Sequence, residues 1–352
     1  MAQTTLPRVT IGVDTHKDTH VAAARDQLGR RLGTTMASAT AAGYAQLLAW
    51  ARGLGEPVAW GVEGTGSYGA GLARFLANHS QRVLEVNRPD RAARRRHGKS
   101  DPVDADAAAR TVQAGEATGT PKAQDGTVEM VRSLRVARQS AVKARTQAIN
   151  AIKALLVTAP TELREQLEGL TTTKLVRAAA ALDPGTLATP TAAAMLALAG
   201  LARRCQHLDA EVSQLTGALD QLTATAAPKL RALLGVGPDS AAALLIAAGD
   251  NWQRLHSEAA FAALCGSSPV EASSGKTRRH RLNQGGDRQA NAALHRIVIV
   301  RLRWHQPTRD YATRRTTEGK SRKEIIRCLK RYVAREVFAA LHQTDGKLTT
   351  AA

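Results

Sequence analysis

Two short apolar runs of this chain each end in a carboxylate. Ile11-Gly12-Val13-Asp14-Thr15 and Trp60-Gly61-Val62-Glu63-Gly64-Thr65-Gly66 are β-branched and bounded by glycine or proline, so each reads as a buried strand whose last residue emerges at the edge of a sheet. A second acidic pair, Asp101 and Asp104 in Lys99-Ser100-Asp101-Pro102-Val103-Asp104, opens an alanine-rich segment, Ala105 to Gln113, that reads as a helix. At this spacing both acids lie near its first turn. Three separate elements thus converge four carboxylates, and their mutual repulsion calls for a cation between them. Hard oxygen donors with no nearby Cys or His pair favour Mg²⁺ over zinc. Taken singly, each acid also reads as an ordinary turn residue or helix cap; the argument rests on the set.

The order of elements up to about Gly115 supports the convergence. Strands are expected over Val9–Val13, His20–Arg25 and Arg31–Met36, the last two turning at Gly29. A helix over Ala41–Leu54, a strand over Val58–Val62, a helix over Tyr68–Asn78 and a strand over Arg82–Val86 follow. Three antiparallel strands and then alternating helix and strand, with acids at the first and fourth strand ends and on the last helix, is the order of an α/β ribonuclease-H-like fold. Between the last strand and the acidic helix lies a basic run that includes Arg91, Arg94, Arg95, Arg96 and Lys99. Its place directly before the metal acids suits contact with a phosphate backbone.

The formal net charge of +19 over 352 residues points to a polyanionic partner. No long uncharged apolar stretch and no basic-then-apolar N-terminal signal is seen, so a soluble, cytoplasmic protein with no membrane partner is expected. Cys205, Cys265 and Cys328 are odd in number and far apart, which supports neither a disulfide framework nor a zinc knuckle.

From Thr120-Pro121 onward the sequence turns to long helices. Val131, Leu134, Ala137, Ala141, Ala144, Ala148, Ile152 and Leu155 step by threes and fours, as do Leu208, Val212, Leu215, Leu219 and Leu222. An intramolecular helical hairpin and a dimerising coiled coil fit this periodicity equally. Leu230 to Gly249, with Leu233-Leu234-Gly235-Val236-Gly237-Pro238 at its turn, reads as a helix-hairpin-helix. Gly235 and Gly237 would let the hairpin backbone approach phosphate at the second helix's N-terminus.

A second chemical stretch follows, Ser267 through His280. Gly275-Lys276-Thr277 suggests a nucleotide loop, but a P-loop needs glycine where Val270 stands, so ATP is not implied. What remains is Ser273-Ser274 on a glycine-flexible loop followed by Lys276, Arg278 and Arg279, cations able to stabilise charge on an attacked phosphate. From Gly275 to Arg335 there are eighteen Lys and Arg against four acids, a density suited to many phosphate contacts. Trp304 and Tyr311 interrupt that run, and packing is the role expected for them.

The Gly-Val-Asp-Thr motif at Asp14, Glu-Gly-Thr-Gly-Ser-Tyr at Glu63 and Lys-Ser-Asp-Pro-Val-Asp-Ala at Asp101 and Asp104 closely resemble the RuvC-like domain of IS110-family transposases. The segment from Ser273, through Asn283-Gln284-Gly285-Gly286 and a helix from Asp287 to Val300, is similar to the C-terminal domain of the same family. The resemblance implies a RuvC-like DEDD catalytic domain over 1–118, a helical or coiled-coil dimerisation region over 119–226, and a C-terminal transposase domain over 227–345, with a frayed tail at 346–352. It implies Mg²⁺ on Asp14, Glu63, Asp101 and Asp104, and a nucleophilic serine that becomes joined to DNA, which maps to Ser274 with Ser273 as the neighbouring alternative. It further implies donor and target double-stranded DNA, a structured noncoding guide RNA, and homodimers that pair into homotetramers in a bacterial, nucleoid-associated setting. It favours the dimerising coiled coil. The rival activity is a RuvC-like Holliday-junction endonuclease that hydrolyses DNA without a serine intermediate.

Overall fold

The computed structural model describes residues 6–86, 100–275 and 280–342. They form two compact units, residues 1–126 with 248–256, and residues 127–247 with 257–352. The expected contact residues Arg91, Arg94, Arg95, Arg96 and Lys99, and likewise Lys276, Arg278 and Arg279, lie outside the described residues.

Unit 1 is built on a five-stranded mixed sheet of order β3-β2-β1-β4-β5. Strands β1 (Arg8–Thr15), β2 (Thr19–Asp26) and β3 (Arg31–Ser38) run antiparallel, while β4 (Glu56–Glu63) pairs parallel with β1 and β5 (Val83–Val86) parallel with β4. Parallel neighbours need crossovers, and helices α1 (Ala41–Leu54) and α2 (Ala70–Asn78) provide them. Thr40 caps α1 by accepting from the Gly43 amide at 3.2 Å. The turn between β2 and β3 is held by Asp26, whose carboxylate accepts from the Leu28 and Arg30 amides and from Arg30 Nε at 2.7 Å. This is the ribonuclease-H-like arrangement expected from the element order.

Alternation along the two central strands divides the core into two layers. Val9, Ile11 and Val13 of β1 and Trp60 and Val62 of β4 pack with Leu47, Leu48, Leu72 and Leu76 of the two crossover helices. The intervening residues, Gly12 and Asp14 on β1 and Gly61 and Glu63 on β4, belong to the opposite face. There lies α3 (Asp101–Gln113), whose Ala105 packs with Val21 and Ala23 and whose Ala108 packs with Ala59, Leu84 and Val86. The approach is close enough that a Cβ on Gly12 would fall 2.1 Å from the Ala105 carbonyl oxygen and 2.2 Å from the Ala109 amide nitrogen. A Cβ on Gly61 would fall 2.6 Å from Val112 Cγ2 and 3.0 Å from the Ala108 carbonyl.

Residues 248–256 complete unit 1 from much later in the chain. The Asn251 side chain donates to the Pro121 carbonyl at 2.8 Å and accepts from the Ala123 amide at 3.1 Å. Burial holds the Arg254 guanidinium below its ordinary pKa, with the nearby Glu85 carboxylate opposing that shift.

Unit 2 is helical apart from one short hairpin. Its long helices α4 (Thr127–Val157) and α7 (Pro190–Ala226) run antiparallel: Val131 meets Leu219 at one end, while Ile152 packs with Leu198 and Ala202 at the other. The two periodic stripes therefore pair with each other inside one chain, the hairpin of the two readings open at the sequence level. Helices α5 (Thr161–Leu167) and α6 (Thr172–Ala180) bury Leu163, Leu167, Leu175 and Val176 against the same core. Then come α8 (Pro228–Ala232), α9 (Pro238–Ala248) and α10 (Glu258–Leu264), the hairpin of β6 (Val270–Glu271) and β7 (His280–Arg281), and α11 (Arg288–Trp304), α12 (Gln306–Thr317) and α13 (Arg322–His342). Among the described residues no helix is long and apolar enough to cross a membrane.

The glycine contact gives a direct test. Gly12→Ala forces α3 away from β1 and should cost about 3 kcal/mol, the upper part of the overpacking range. Gly53→Ala, in α1 with no atom within 4 Å of the added Cβ, should be neutral or stabilise by up to about 1 kcal/mol. Denaturant unfolding of the two variants measures the contrast.

Candidate active site

Asp14 and Glu63 occupy adjacent strand ends. The β1–β4 register aligns Gly12 with Gly61 and Val13 with Val62, so the next residue along each strand is an acid on the α3 face. Thr15 Oγ1 donates to the Glu63 carbonyl at 2.9 Å and ties the two ends together. Above them, Ser100 starts α3 in extended backbone and Pro102 stands in the first turn, where its missing N–H costs nothing. Asp101 and Asp104 thereby sit at the helix N-terminus, whose dipole favours negative charge. Asp14, Glu63 and Asp104 are buried, at 8%, 6% and 4% exposure, and Asp101 is half-exposed.

The tightest cluster includes a residue that the sequence reading passed over. His16 Nε2 lies 3.2 Å from Asp14 Oδ2 and 3.3 Å from Asp101 Oδ1. One donor atom from each of Asp14, His16 and Asp101 falls within 4.8 Å of the others, a spacing that fits a single cation. Its signal was available: His16 follows Asp14 by two residues, the period that keeps side chains on one face of a strand. The closest three donors are therefore two oxygens and one imidazole nitrogen, a set that admits Mn²⁺ as well as Mg²⁺.

Burial pushes the Asp14 carboxyl above its ordinary value of 3.8; His16 opposes the rise, and the Asp104 and Asp101 charges add to it. Asp106, the next acid along α3, points elsewhere. Arg25 Nη1 contacts both of its carboxylate oxygens at 2.9 Å, and Arg110 Nε approaches at 3.3 Å, which pins α3 to β2.

In unit 2, Ser273, Ser274 and Gly275 are exposed on the connection between β6 and β7. Gly275 has φ +58°, a left-handed turn that favours glycine directly after the candidate nucleophile. The two glycines of the turn at 233–237 stand in different surroundings. Gly235, at φ +86°, faces the Ile297 carbonyl of α11 at 3.2 Å from a would-be Cβ, whereas Gly237 faces open space. Arg301 Nε donates to the Leu234 carbonyl at 2.9 Å, and Arg231 Nη1 donates to the Val236 carbonyl. At the start of α9, Asp239 gathers Arg296 at 2.7 Å, Arg135 at 3.1 Å and Arg138 at 3.5 Å.

Two family models match the sequence. One, for the DEDD transposase domain of IS110, spans residues 11–159 and so all four acids; the other, for transposases of the IS116/IS110/IS902 family, spans residues 227–313 and so Ser274. The chain belongs to the IS110 family of transposases. A search of curated proteins finds no match. An IS110-family transposase cleaves and rejoins DNA, and the acid cluster of unit 1 is a candidate divalent-metal site for that chemistry.

The raised Asp14 pKa sets a pH dependence. Between 3.8 and that raised value the folded chain holds a proton the unfolded chain has released, so metal-free stability from this group falls as pH rises through the window. A cation needs the carboxylate deprotonated, so stabilisation by Mg²⁺ should grow as pH rises from 3.8 through that raised value. Asp14→Asn should abolish the Mg²⁺-induced rise in Tm without lowering the Tm in chelator. His16→Asn should keep the Mg²⁺ shift and lose any extra shift given by Mn²⁺. Thermal melts with each ion check all three.

Proposed function

We propose that this transposase is an RNA-guided recombinase of an insertion sequence that works through a covalent phosphoserine. The observation that carries the reading is the meeting of Asp14, His16 and Asp101 donor atoms within 4.8 Å at the ends of a sheet whose adjacent strand also terminates in a buried Glu63. Asp14, Glu63, Asp101 and Asp104 are assigned to hold Mg²⁺, with His16 beside them. When bound, the ion neutralises the scissile phosphate and the oxygens that attack and leave.

Ser274 Oγ attacks phosphorus, forming an O–P bond while the bond to one flanking nucleotide breaks. The serine gives up a proton and the departing hydroxyl takes one up, so the exchange is balanced. Because one phosphate ester replaces another, resealing needs no ATP, in keeping with a loop that lacks the first P-loop glycine at Val270. Ser274 is preferred over Ser273 because it directly precedes Gly275, whose left-handed turn presents it on the exposed loop.

The functional division runs as a catalytic segment over 1–118, a dimerisation region over 119–226 and a serine-bearing domain over 227–345. Exposed Met130, Val136 and Val157 on α4, apolar positions outside the intramolecular core, support homodimers by that helix, pairing into a homotetramer in which one subunit's serine serves another's acids. The donor and target duplexes are paired by a noncoding RNA from the element, and the basic residues Arg91, Arg94, Arg95, Arg96, Lys99, Lys276, Arg278 and Arg279 hold phosphates. The helix-hairpin-helix reading of 230–249 is retained with Gly237 as its outward-facing glycine. The setting is the bacterial cytoplasm, at the nucleoid.

The test combines the protein, Mg²⁺, labelled element-end DNA and RNA transcribed beside the gene, followed by a denaturing gel. A covalent protein–DNA adduct should form and vanish in Ser274→Ala, in Asp14→Ala and when RNA is left out, while Ser273→Ala keeps it. Cleavage without an adduct, unchanged in Ser274→Ala, would instead mark a hydrolytic endonuclease.

A further inference from the structure

The corner formed by α11, α12 and α13 in unit 2 holds a cavity of about 150 Å³ that the acid cluster and the serine loop do not use. Pockets for whole small molecules run to roughly 300–1,000 Å³, so this one has room for a single flat group. Its walls include Tyr311 and Tyr332, set edge to face with ring centroids 5.4 Å apart. Its polar edge is Arg301, buried, in an ion pair with Glu336 at 2.8 Å. The Glu336 carboxylate is 46% exposed and presents acceptor oxygens to whatever enters.

Aromatic rings in a soluble chain are normally covered, yet at this corner they are offered to solvent. Tyr332 is 45% exposed, and Trp304, at the end of α11, is 66% exposed. The whole chain has only four tryptophans and four tyrosines, and three of those eight stand here. Each carries a guanidinium over a ring: Arg303 at 4.9 Å from the Trp304 centroid, Arg314 at 5.4 Å from that of Tyr311, and Arg335 at 5.8 Å from that of Tyr332. Residues 301–336 hold twelve Lys and Arg against four acids, and ten of those cations, all but Arg301 and Lys330, are not buried, so the partner that brings a flat group to this surface is polyanionic. Stacking rings interleaved with cations is the recognition chemistry of unpaired bases, whose faces stack and whose phosphates meet the charges. A carboxylate at the pocket edge selects for an amino group, as Asp and Glu do when they accept from the cytosine N4 amine.

We propose that this corner seats one unstacked nucleobase of a single strand, its ring against Tyr332 and Tyr311 and its exocyclic amine on Glu336. The flanking phosphates lie along the α12 and α13 arginines. The seat prefers bases with an exocyclic amine, and among pyrimidines cytosine over thymine or uracil. It is independent of the serine reaction and of the acid cluster, and it gives Trp304 and Tyr311 a recognition role beyond packing.

Fluorescence anisotropy of the full-length protein tests this with labelled 12-nucleotide dC, dT, rC and rU strands and a duplex control. The wild type should bind dC over dT and rC over rU. Tyr332→Ala should weaken binding of the C strands by about tenfold, the scale of losing one stacked base, with duplex affinity unchanged. Tyr332→Phe should restore it, and Glu336→Gln should erase the preference for C while keeping the strand bound. A loss confined to DNA or to RNA would name that strand as the occupant and sustain the seat. Equal binding of C, T and U strands by the wild type, single-strand binding unaffected by Tyr332→Ala, or single-strand and duplex binding falling together, would each overturn it.

Discussion

The candidate active site depends on a contact between backbones. Helix α3 lies so close over β1 and β4 that its Ala105, Ala108 and Ala109 backbone atoms occupy the space where Cβ atoms of Gly12 and Gly61 would be. In each strand the glycine stands two residues before the acid, on the same face, so the contact that seats the helix and the carboxylate that faces its first turn are fixed by one alternation. Widening the gap by one methyl group would carry Asp101 and Asp104 away from Asp14. The Arg25–Asp106–Arg110 cluster works in the same direction, fixing the rotation of α3 so that Asp106 is turned away from the acids it neighbours in sequence. Asp14 meets Asp101 and Asp104 here at a cost: burial first, and then the charges of Asp104 and Asp101, raise the Asp14 pKa, while His16 opposes the rise. A bound cation removes that cost, which links ion occupancy to the stability of the whole edge.

Unit 2 follows a different logic, in which arginines fasten helices internally before any are left to meet phosphate. Arg135 is almost fully buried and bonds both Asp239 and Gln289, while Arg301 closes the Leu234 carbonyl and pairs with Glu336. Lys330 is likewise buried, donating to Asn291 at 2.8 Å, and Asn291 in turn holds the Cys265 and Gly266 carbonyls; burial lowers the Lys330 pKa. Part of the large positive charge is thus structural, and counting basic residues overstates the surface offered to nucleic acid. Exposed cations remain on both units, among them Lys143, Lys153, Arg203 and Arg204 on the long helices and Arg309, Arg322 and Arg327 on α12 and α13.

Much of unit 1 could be read in advance because short-range patterns decide it. β-Branched runs bounded by glycine or proline gave β1 and β4, and the carboxylate ending each run marked the sheet edge where the acids lie. His16, one residue past the end of β1, carries no acidic signal, although its spacing of two from Asp14 is the one that keeps side chains on one face. The return of residues 248–256 to unit 1 was not legible, since it rests on Asn251 reaching the Pro121 and Ala123 backbone across a long separation in sequence. In the helical half, periodicity identified the stripes on α4 and α7 but left their partner open, because an apolar stripe carries no label for the surface it will cover. Packing of Val131 on Leu219 answers that within the chain. At Gly235 a would-be Cβ meets the Ile297 carbonyl, a close approach that the glycine signal reports without saying of what.

In the proposed site one ion bridges side chains from β1, β4 and α3. Fe²⁺ substituted for Mg²⁺, with ascorbate and peroxide, generates radicals that cut the polypeptide next to the metal, and mass spectrometry of the fragments locates the cuts. Cleavage clustered near residues 14–16, 63 and 101–104 together, suppressed by excess Mg²⁺, is the predicted result. Cuts confined to one of the three segments, or a pattern that Mg²⁺ does not suppress, would contradict it.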